Sequence, residues 1–294
     1  MISQVHDFTG GMDDTSAGSP ARGLTIEVVH PAENTWDRMT AEFADVTYEQ
    51  TVAYAASRWG NRRLTGIVVR EARGDAVAAA LAVAATLPLV RAGVAYVKFG
   101  PLWRARGREP SPDVLLRVLR AMCDELGRRR GLLVRVVPPA DPGREPYWQS
   151  ALRAAGFTLT TSLSHPERYL IDVTLPAAEQ FASLGKRWRA ELRKAATDLE
   201  FAELGGPAAL EEFLSLFRSM MRRKRFRDRH GLPALPALLA HPVASLRMRV
   251  FVARHRGRHV AASVIGGAGE ILHALFGATA DEALGLRAGY ALRW

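Results

Sequence analysis

Two stretches of the chain share one pattern of apolar and polar positions. Residues 66–70 form an apolar run, residues 73–75 (Arg-Gly-Asp) break it, and a second apolar run begins at Val77. Much later, residues 249–254 are followed by Arg256-Gly257 and another apolar run from Val260. Residues 73–81 align without a gap to residues 256–264, and each copy is followed by a segment ending in Phe-Gly, at Phe99-Gly100 and at Phe276-Gly277. Runs of this length, bounded by Gly-containing turns, predict strand, turn, strand, turn, strand: an antiparallel meander present twice.

After the first meander the apolar period becomes helical. Ser111 and Pro112 suit a helix start, and Val114, Leu115, Val118, Leu119, Met122 and Leu126 fall on one face. Residues 132–137 read as a buried strand stopped by Pro138-Pro139, and residues 147–155 as a helix ending at Gly156. Strands are expected near 157–163 and 168–173. The second half opens with helices over 176–184 and 186–199 and a strand over 200–204. Pro207 then starts a helix whose face is Leu210, Phe213, Leu214, Phe217, Met220 and Met221. After the second meander, a loop with Asp281 leads to a helix beginning near Ala288, and the sequence stops at Trp294. The fold class is therefore α/β, in the sense of α+β with mixed sheets. Its organisation is a leader over 1–23, a first unit over 24–165 and a second over 166–294. By analogy with the first copy, the second is expected to be incomplete, cut at the helix after its meander.

Composition narrows the class. Hydrophobic residues make up 48% and charged residues 24%, which fits a globular chain. Residues 1–23 have no apolar period and read as a mobile, disordered leader, without the basic start and apolar run of a secretory signal. Residues 77–90, interrupted by Thr86 and Pro88, fall short of the roughly 20 apolar residues a membrane helix needs. The single Cys123 excludes an intramolecular disulfide and a thiolate metal cluster. These features predict a cytoplasmic protein. A net charge of +10 favours an anionic partner: nucleic acid, a nucleotide cofactor or a phospholipid surface.

Several clusters carry candidate chemistry. Residues 222–230 hold the densest run of cations, with Phe226 inside it; they suit a phosphate grip with base stacking or, equally, the cationic end of a helix. Lys186, Arg189 and Arg193 share a helical face beside Trp188 and suit an anionic substrate or plain solvation. Arg223 is a further substrate-binding candidate. His255 and His259 flank a turn, where a surface role outweighs a metal pair because no third ligand is in view. His273 is a candidate general base on a strand; Asp172, Glu191 and Asp281 are carboxylates open to the same role.

Three segments resemble one superfamily. Residues 96–102 (Tyr-Val-Lys-Phe-Gly-Pro-Leu) are similar to its strand ending in Gly-Pro. The basic stretch 184–196 is similar to the helix opening its second unit, and residues 260–294, with Phe276-Gly277-Ala278-Thr279 and Gly289-Tyr290, are similar to its final meander and cofactor-helix entry. The family is the GNAT superfamily, within it the two-unit FemAB-type transferases and their CelD/BioF-associated relatives. The resemblance implies transfer of an acyl or aminoacyl group to an amine of a cell-envelope precursor or polysaccharide, by direct attack in a ternary complex. It implies no metal, and an acyl-CoA or aminoacyl-tRNA donor. Implied partners are a small-molecule or lipid-linked amine, with tRNA, a membrane surface and a second copy as further candidates. The residues it points to are His273, Phe276 and Gly277 at the reacting centre and Arg287, Gly289 and Tyr290 at the cofactor. The usual diphosphate loop, Gln/Arg-x-x-Gly-x-Gly/Ala, is met at Gly289 and Ala291, but Leu286 stands where Gln or Arg belongs. Residues 104–109 match it only up to Glu109, and the long helical arm common among tRNA-dependent members is missing. A basic binding module for nucleic acid or anionic lipid is the alternative from another class, and an inactive truncated remnant is the third reading.

Overall fold

The structure, a computed structural model, describes residues 2–3, 23–86, 92–160, 170–226, 231–267 and 269–294. Apart from residues 2–3 and 23, the expected leader lies outside them. The chain divides into two compact units. Unit 1 holds Met1–His165 together with His241–Leu246 and Gly267–Ile271; unit 2 holds Pro166–Ala240, Arg247–Gly266 and Leu272–Trp294.

In unit 1 the chain runs β1 (Ile2–Ser3), β2 (Thr25–Val29), α1 (Glu33–Thr40), α2 (Val52–Trp59), β3 (Leu64–Arg70), β4 (Ala76–Thr86), β5 (Gly93–Lys98), α3 (Pro112–Met122), β6 (Leu132–Val137), α4 (Glu145–Ala154) and β7 (Thr158–Leu159). A π-helical stretch, Cys123–Arg129, prolongs α3. The strand order is β2-β3-β4-β5-β6-β1-β7. Strands β2 to β5 pair antiparallel, whereas β5 and β6 are parallel, as a strand–helix–strand crossover through α3 requires. One sheet face, with Ile67, Ala80, Ala95, Val97, Val134 and Val136, packs on Leu115, Leu119, Met122 and Trp148 of α3 and α4. The other, with Val68, Ala79 and Leu81, packs on Trp36, Phe43, Val52 and Leu102. Burial on both faces explains why β4 is a nearly unbroken apolar run.

The ladder between β4 and β5 holds from Val83↔Tyr96 to Thr86↔Gly93. Continued, it would set Lys98 opposite Leu81, but the Gln50 side chain stands between them. Its amide nitrogen donates to the carbonyls of Lys98 (2.8 Å) and Leu81 (3.3 Å), and its oxygen accepts from the Leu81 N–H (2.8 Å). Beyond Gln50 the chain turns at Phe99 (φ 50°) and rejoins β4, where Ala79 and Leu102 exchange backbone hydrogen bonds. Gly100 lies against this amide: a Cβ there would sit 2.6 Å from the Gln50 Cδ.

Buried Asp37 organises the opposite side of α2. Its carboxylate accepts the N–H groups of Val52 (2.7 Å) and Ala53 (3.2 Å), capping that helix from a distance. His241 Nδ1 accepts the Val243 N–H (3.1 Å), which leaves the Nε2 proton to be donated to Asp37 (2.9 Å). Nearby, buried Asp45 accepts the N–H groups of Trp103 (3.0 Å) and Arg104 (3.3 Å), and buried Arg104 is paired with Glu270 (2.7 Å) and Asp141 (3.6 Å). Burial pushes the Asp45 carboxyl up to about 6, against the pull of those N–H groups and of Arg104.

Unit 2 comprises α5 (Ala177–Ser183), α6 (Lys186–Arg193), β8 (Glu200–Leu204), α7 (Gly206–Lys224), α8 (Leu235–Leu239), β9 (Arg249–His255), β10 (Arg258–Gly266), β11 (His273–Thr279), α9 (Glu282–Leu286) and α10 (Ala288–Ala291). Its sheet is antiparallel in the order β11-β10-β9-β8. Both meanders are present, but their first turns differ. In unit 2, His255 pairs with Arg258 across Arg256-Gly257, both at positive φ as a two-residue hairpin requires; in unit 1 the turn is five residues wide, from Arg70 to Ala76. Two expectations need correction. The helix expected over 186–199 stops at Arg193, because the Ala196 N–H goes to the Leu286 carbonyl instead. The strand expected over 168–173 is absent in its described part, 170–173, where Asp172 takes up the Thr174 N–H (2.9 Å) and hydroxyl (2.6 Å) in a local turn. Of the strand expected over 157–163, β7 covers two residues, and residues 161–163 lie outside the described ones.

Gln50→Leu leaves one N–H and two carbonyls buried without partners, a loss of about 2–4 kcal/mol, to be read in chemical denaturation. Gly100→Ala should destabilise the wild type and cost markedly less in a Gln50→Ala background, where the obstructing amide is gone. The raised Asp45 carboxyl favours the fold below its ordinary pKa of 3.8, and that contribution is lost as pH rises through about 6. Asp45→Asn should therefore gain stability relative to the wild type between pH 4 and 7, by at most about 3 kcal/mol, seen as a widening difference in Tm.

Candidate active site

In unit 2 the expected reacting centre lies on β11. This strand is the edge of its sheet: β10 pairs with one side, and no strand among the described residues pairs with the other. Its register shifts between Val264 and Ile265, so that Leu275 is an extra residue bulged between Ala274 and Phe276. Phe276 is buried, its ring 6.0 Å from those of Phe213 and Phe217, and its carbonyl accepts the Ser263 hydroxyl (3.2 Å). The Phe276 side chain is thus core, and only its backbone faces the strand edges. Gly277 lies on the opposite face, where a Cβ would come within 2.7 Å of the Arg293 Nη2. His273 begins the strand, half-buried and opposite Gly266.

The expected cofactor residues come next along the chain. Arg287, at φ 55°, separates the short helices α9 and α10. Its guanidinium is bound to the Glu191 carboxylate and the Leu284 carbonyl. Gly289 packs against Thr279, its notional Cβ 3.1 Å from the Thr279 Cγ2, and the Tyr290 ring meets Trp188 edge-on at 4.8 Å. The diphosphate of an acyl-CoA needs a run of free N–H groups at a helix start and an available cation. Residues 282–291 offer two short helical turns and an arginine already paired, so this segment does not fit that group.

The substrate candidates are dispersed over several tasks. Arg189 donates to the carbonyls of Ala182 (2.7 Å) and Leu184, tying off the end of α5. Arg193 lies 5.0 Å over the Phe181 ring. Arg223 binds Asp281 and the Thr279 hydroxyl (3.0 Å). Lys186 is exposed at the start of α6. In the basic run, Phe226 meets Phe217 edge-on at 6.0 Å, and residues 227–230 lie outside the described ones. His255 pairs with Asp198 and His259 with Glu212, each at 3.1 Å. Among the described residues no group of three such side chains is placed to hold a metal ion. The candidate bases are engaged as well: Glu191 with Arg287, Asp281 with Arg223, and Asp172 with Thr174, whose hydroxyl and N–H hold the Asp172 carboxyl below its usual range.

Unit 1 contributes a cavity of about 190 Å³, lined by Glu49, Arg58, Leu81, Val83, Tyr96 and Lys98, with Ala55 and Trp59 behind. It opens where β5 leaves β4. Lys98 forms an ion pair with nearly buried Glu49, and the Arg58 guanidinium lies 5.0 Å over the Trp59 ring. Sequence reasoning singled out Lys98 only as part of a resembling segment. Glu49 and Arg58 fall in helical turns with no distinguishing spacing, and only the folded sheet brings them to Lys98.

Residues 182–294 match the family model described as an acetyltransferase (GNAT) domain. The second unit therefore carries a GNAT-type acetyltransferase domain. No curated protein matches the chain closely enough to count as a relative. Its fold is similar to the crystal structure of FemX, at TM-score 0.66 and 12% identity, over 91% of this chain and 84% of that one. It is also similar to a conserved protein of unknown function from Bacteroides thetaiotaomicron, at TM-score 0.52 and 13% identity, over 91% and 83%. No helix among the described residues is long and apolar enough to cross a membrane.

Arg189→Ala should lower Tm by several degrees, because it frees two carbonyls at the end of α5. Lys186→Ala should leave Tm unchanged; scanning fluorimetry of the pair separates a structural arginine from a solvated lysine on the same helix.

Proposed function

We propose that the protein transfers an acyl or aminoacyl group to an amine of a cell-envelope precursor or polysaccharide, with the transfer carried out at β11 of unit 2. The observation that carries this reading is the open edge of β11 beside its bulge, within the matched domain. A strand edge presents backbone N–H groups at fixed positions. Aimed at a carbonyl oxygen, such groups stabilise the negative charge that develops when an amine attacks the carbonyl carbon. The acceptor supplies its own nucleophile, so the protein's work is to position the two reactants and exclude competing geometries. Gly277, without a side chain, lets the Arg293 guanidinium lie close against that face of the strand. The resemblance of residues 96–102, 184–196 and 260–294 to the FemAB-type transferases supports an acceptor drawn from envelope synthesis. The residues around Arg287 favour a donor carrier other than CoA, and aminoacyl-tRNA is the candidate that the excess of cations suits.

Equilibrium binding of alanyl-tRNA and of acetyl-CoA tests this. The expected result is saturable binding of the charged tRNA that exceeds binding of uncharged tRNA, with acetyl-CoA weak. Equal, steeply salt-sensitive binding of any RNA together with no acetyl-CoA binding would overturn it in favour of a basic binding module.

A further inference from the structure

We infer that Arg293 is the charge-stabilising residue of the reacting centre on β11, where its guanidinium holds the oxygen of the carbonyl under attack. The inference rests on the transfer reading above and adds the cation that the reaction uses. Phe276 turns into the core, so Gly277 faces the other side of the strand. On that side Gly289 of α10 sits against Thr279, a Cβ on the glycine lying 3.1 Å from the Thr279 Cγ2. The helical turn continues beyond it, with the Leu292 N–H bonded to the Ala288 carbonyl (2.9 Å) and the Trp294 N–H to that of Tyr290 (3.2 Å). One helical turn rises about 5.4 Å and two strand residues span about 6.8 Å, so the residue four beyond Gly289 comes over the residue two before Thr279. Those residues are Arg293 and Gly277, and a Cβ on Gly277 would stand 2.7 Å from the Arg293 Nη2.

Arg293 differs from the other arginines around this strand. Arg223 binds Asp281 and Thr279, Arg287 binds Glu191 and Leu284, and Arg189 ties off the end of α5. Arg293 is exposed, and it makes no hydrogen bond, ion pair or ring contact with the described residues. Its planar fork of N–H donors stays charged at any working pH and is open to a ligand. The guanidinium lies against the backbone of the edge strand that the transfer uses. A fixed cation there stabilises the charge that a carbonyl oxygen gains at that strand. In the step assigned to it, the amine nitrogen bonds to the carbonyl carbon and the C=O electron pair moves onto the oxygen. Arg293 holds that oxygen by a charge-assisted hydrogen bond. When the pair returns, the bond to the carrier oxygen breaks, and the carrier oxygen takes the proton that the nitrogen loses.

Single-turnover transfer of alanine from alanyl-tRNA to hydroxylamine, a small amine acceptor, tests this on the full chain, with the rate in the absence of protein subtracted. The wild type should speed formation of the hydroxamate. At saturating protein, Arg293→Gln should lower that rate about tenfold or more, a smaller loss than for an enclosed oxyanion donor because Arg293 is exposed. Its Kd for alanyl-tRNA should stay within about twofold of the wild type, because the contact forms only as the oxygen gains charge, and its Tm should be unchanged. Arg293→Lys should be intermediate, since it keeps the charge without the fork. Gly277→Ala, which puts a methyl group where the guanidinium lies, should also lower the rate, and should add nothing in the Arg293→Gln background. An unchanged rate in Arg293→Gln overturns the inference and leaves the transfer reading standing. Equal weakening of charged and uncharged tRNA binding does the same, by making Arg293 a phosphate contact, as does a lowered Tm, by making it structural packing. Alanyl-tRNA bound without acceleration over the uncatalysed rate removes this inference alone. No preference for charged tRNA in the wild type removes the transfer reading and this inference with it.

Discussion

The architecture of unit 1 depends on one side-chain amide in a gap between strands. A sheet that opens between two central strands exposes an N–H and two carbonyls to an apolar interior, which is expensive. Gln50 carries one acceptor and two donor hydrogens on a short flexible stem, and it satisfies all three groups. With the gap closed in this way, β5 can leave β4, turn at Phe99 and return at Leu102 without breaking the core. The same departure creates the recess in which Glu49 and Lys98 meet. Glu49 is the chain neighbour of Gln50, and Lys98 offers its carbonyl to the Gln50 amide, so the filler of the gap and the walls of the cavity are fixed together.

The two meanders solve the same packing problem with different means. In unit 1 the sheet is covered on both faces by large side chains, and its central strand is narrowed to alanines. In unit 2 the aromatic face is supplied by α7, through Phe213 and Phe217 against Phe276, while the other face is a floor of Ala253 and Ala261 under Ala283 and Ala288. Because strand side chains alternate, burying Phe276 on one side obliges Gly277 to face the other. Packing of the core therefore decides which residue of β11 meets Arg293.

Much of this order was legible in the residues. The meanders, the bounds of β6 and β8 and the α7 face derive from period and punctuation, which are local properties. The parts that were not legible depend on partners remote in sequence. Gln50, Asp37 and Asp45 are ordinary polar residues in short helical turns and loops until the sheet brings Leu81, His241 and Trp103 to them. The same holds for the cations: a basic helix looks uniform in sequence, yet Arg189 ties off a helix end, Arg193 lies on a ring and Lys186 meets only solvent.

The pairing of Asp37 with His241 bears on the order in which the protein takes shape during synthesis. The two residues are 204 positions apart, and Glu270, which holds Arg104, emerges later still. A nascent chain that has just completed β7 already contains every strand of the first sheet, but Asp37 and Arg104 still wait for their partners. Unit 1 therefore reaches its final state only after most of unit 2 has been translated, and until then buried Asp37 and Arg104 lack hydrogen-bond partners that they hold in the folded chain. The boundary in space and the boundary in time do not coincide.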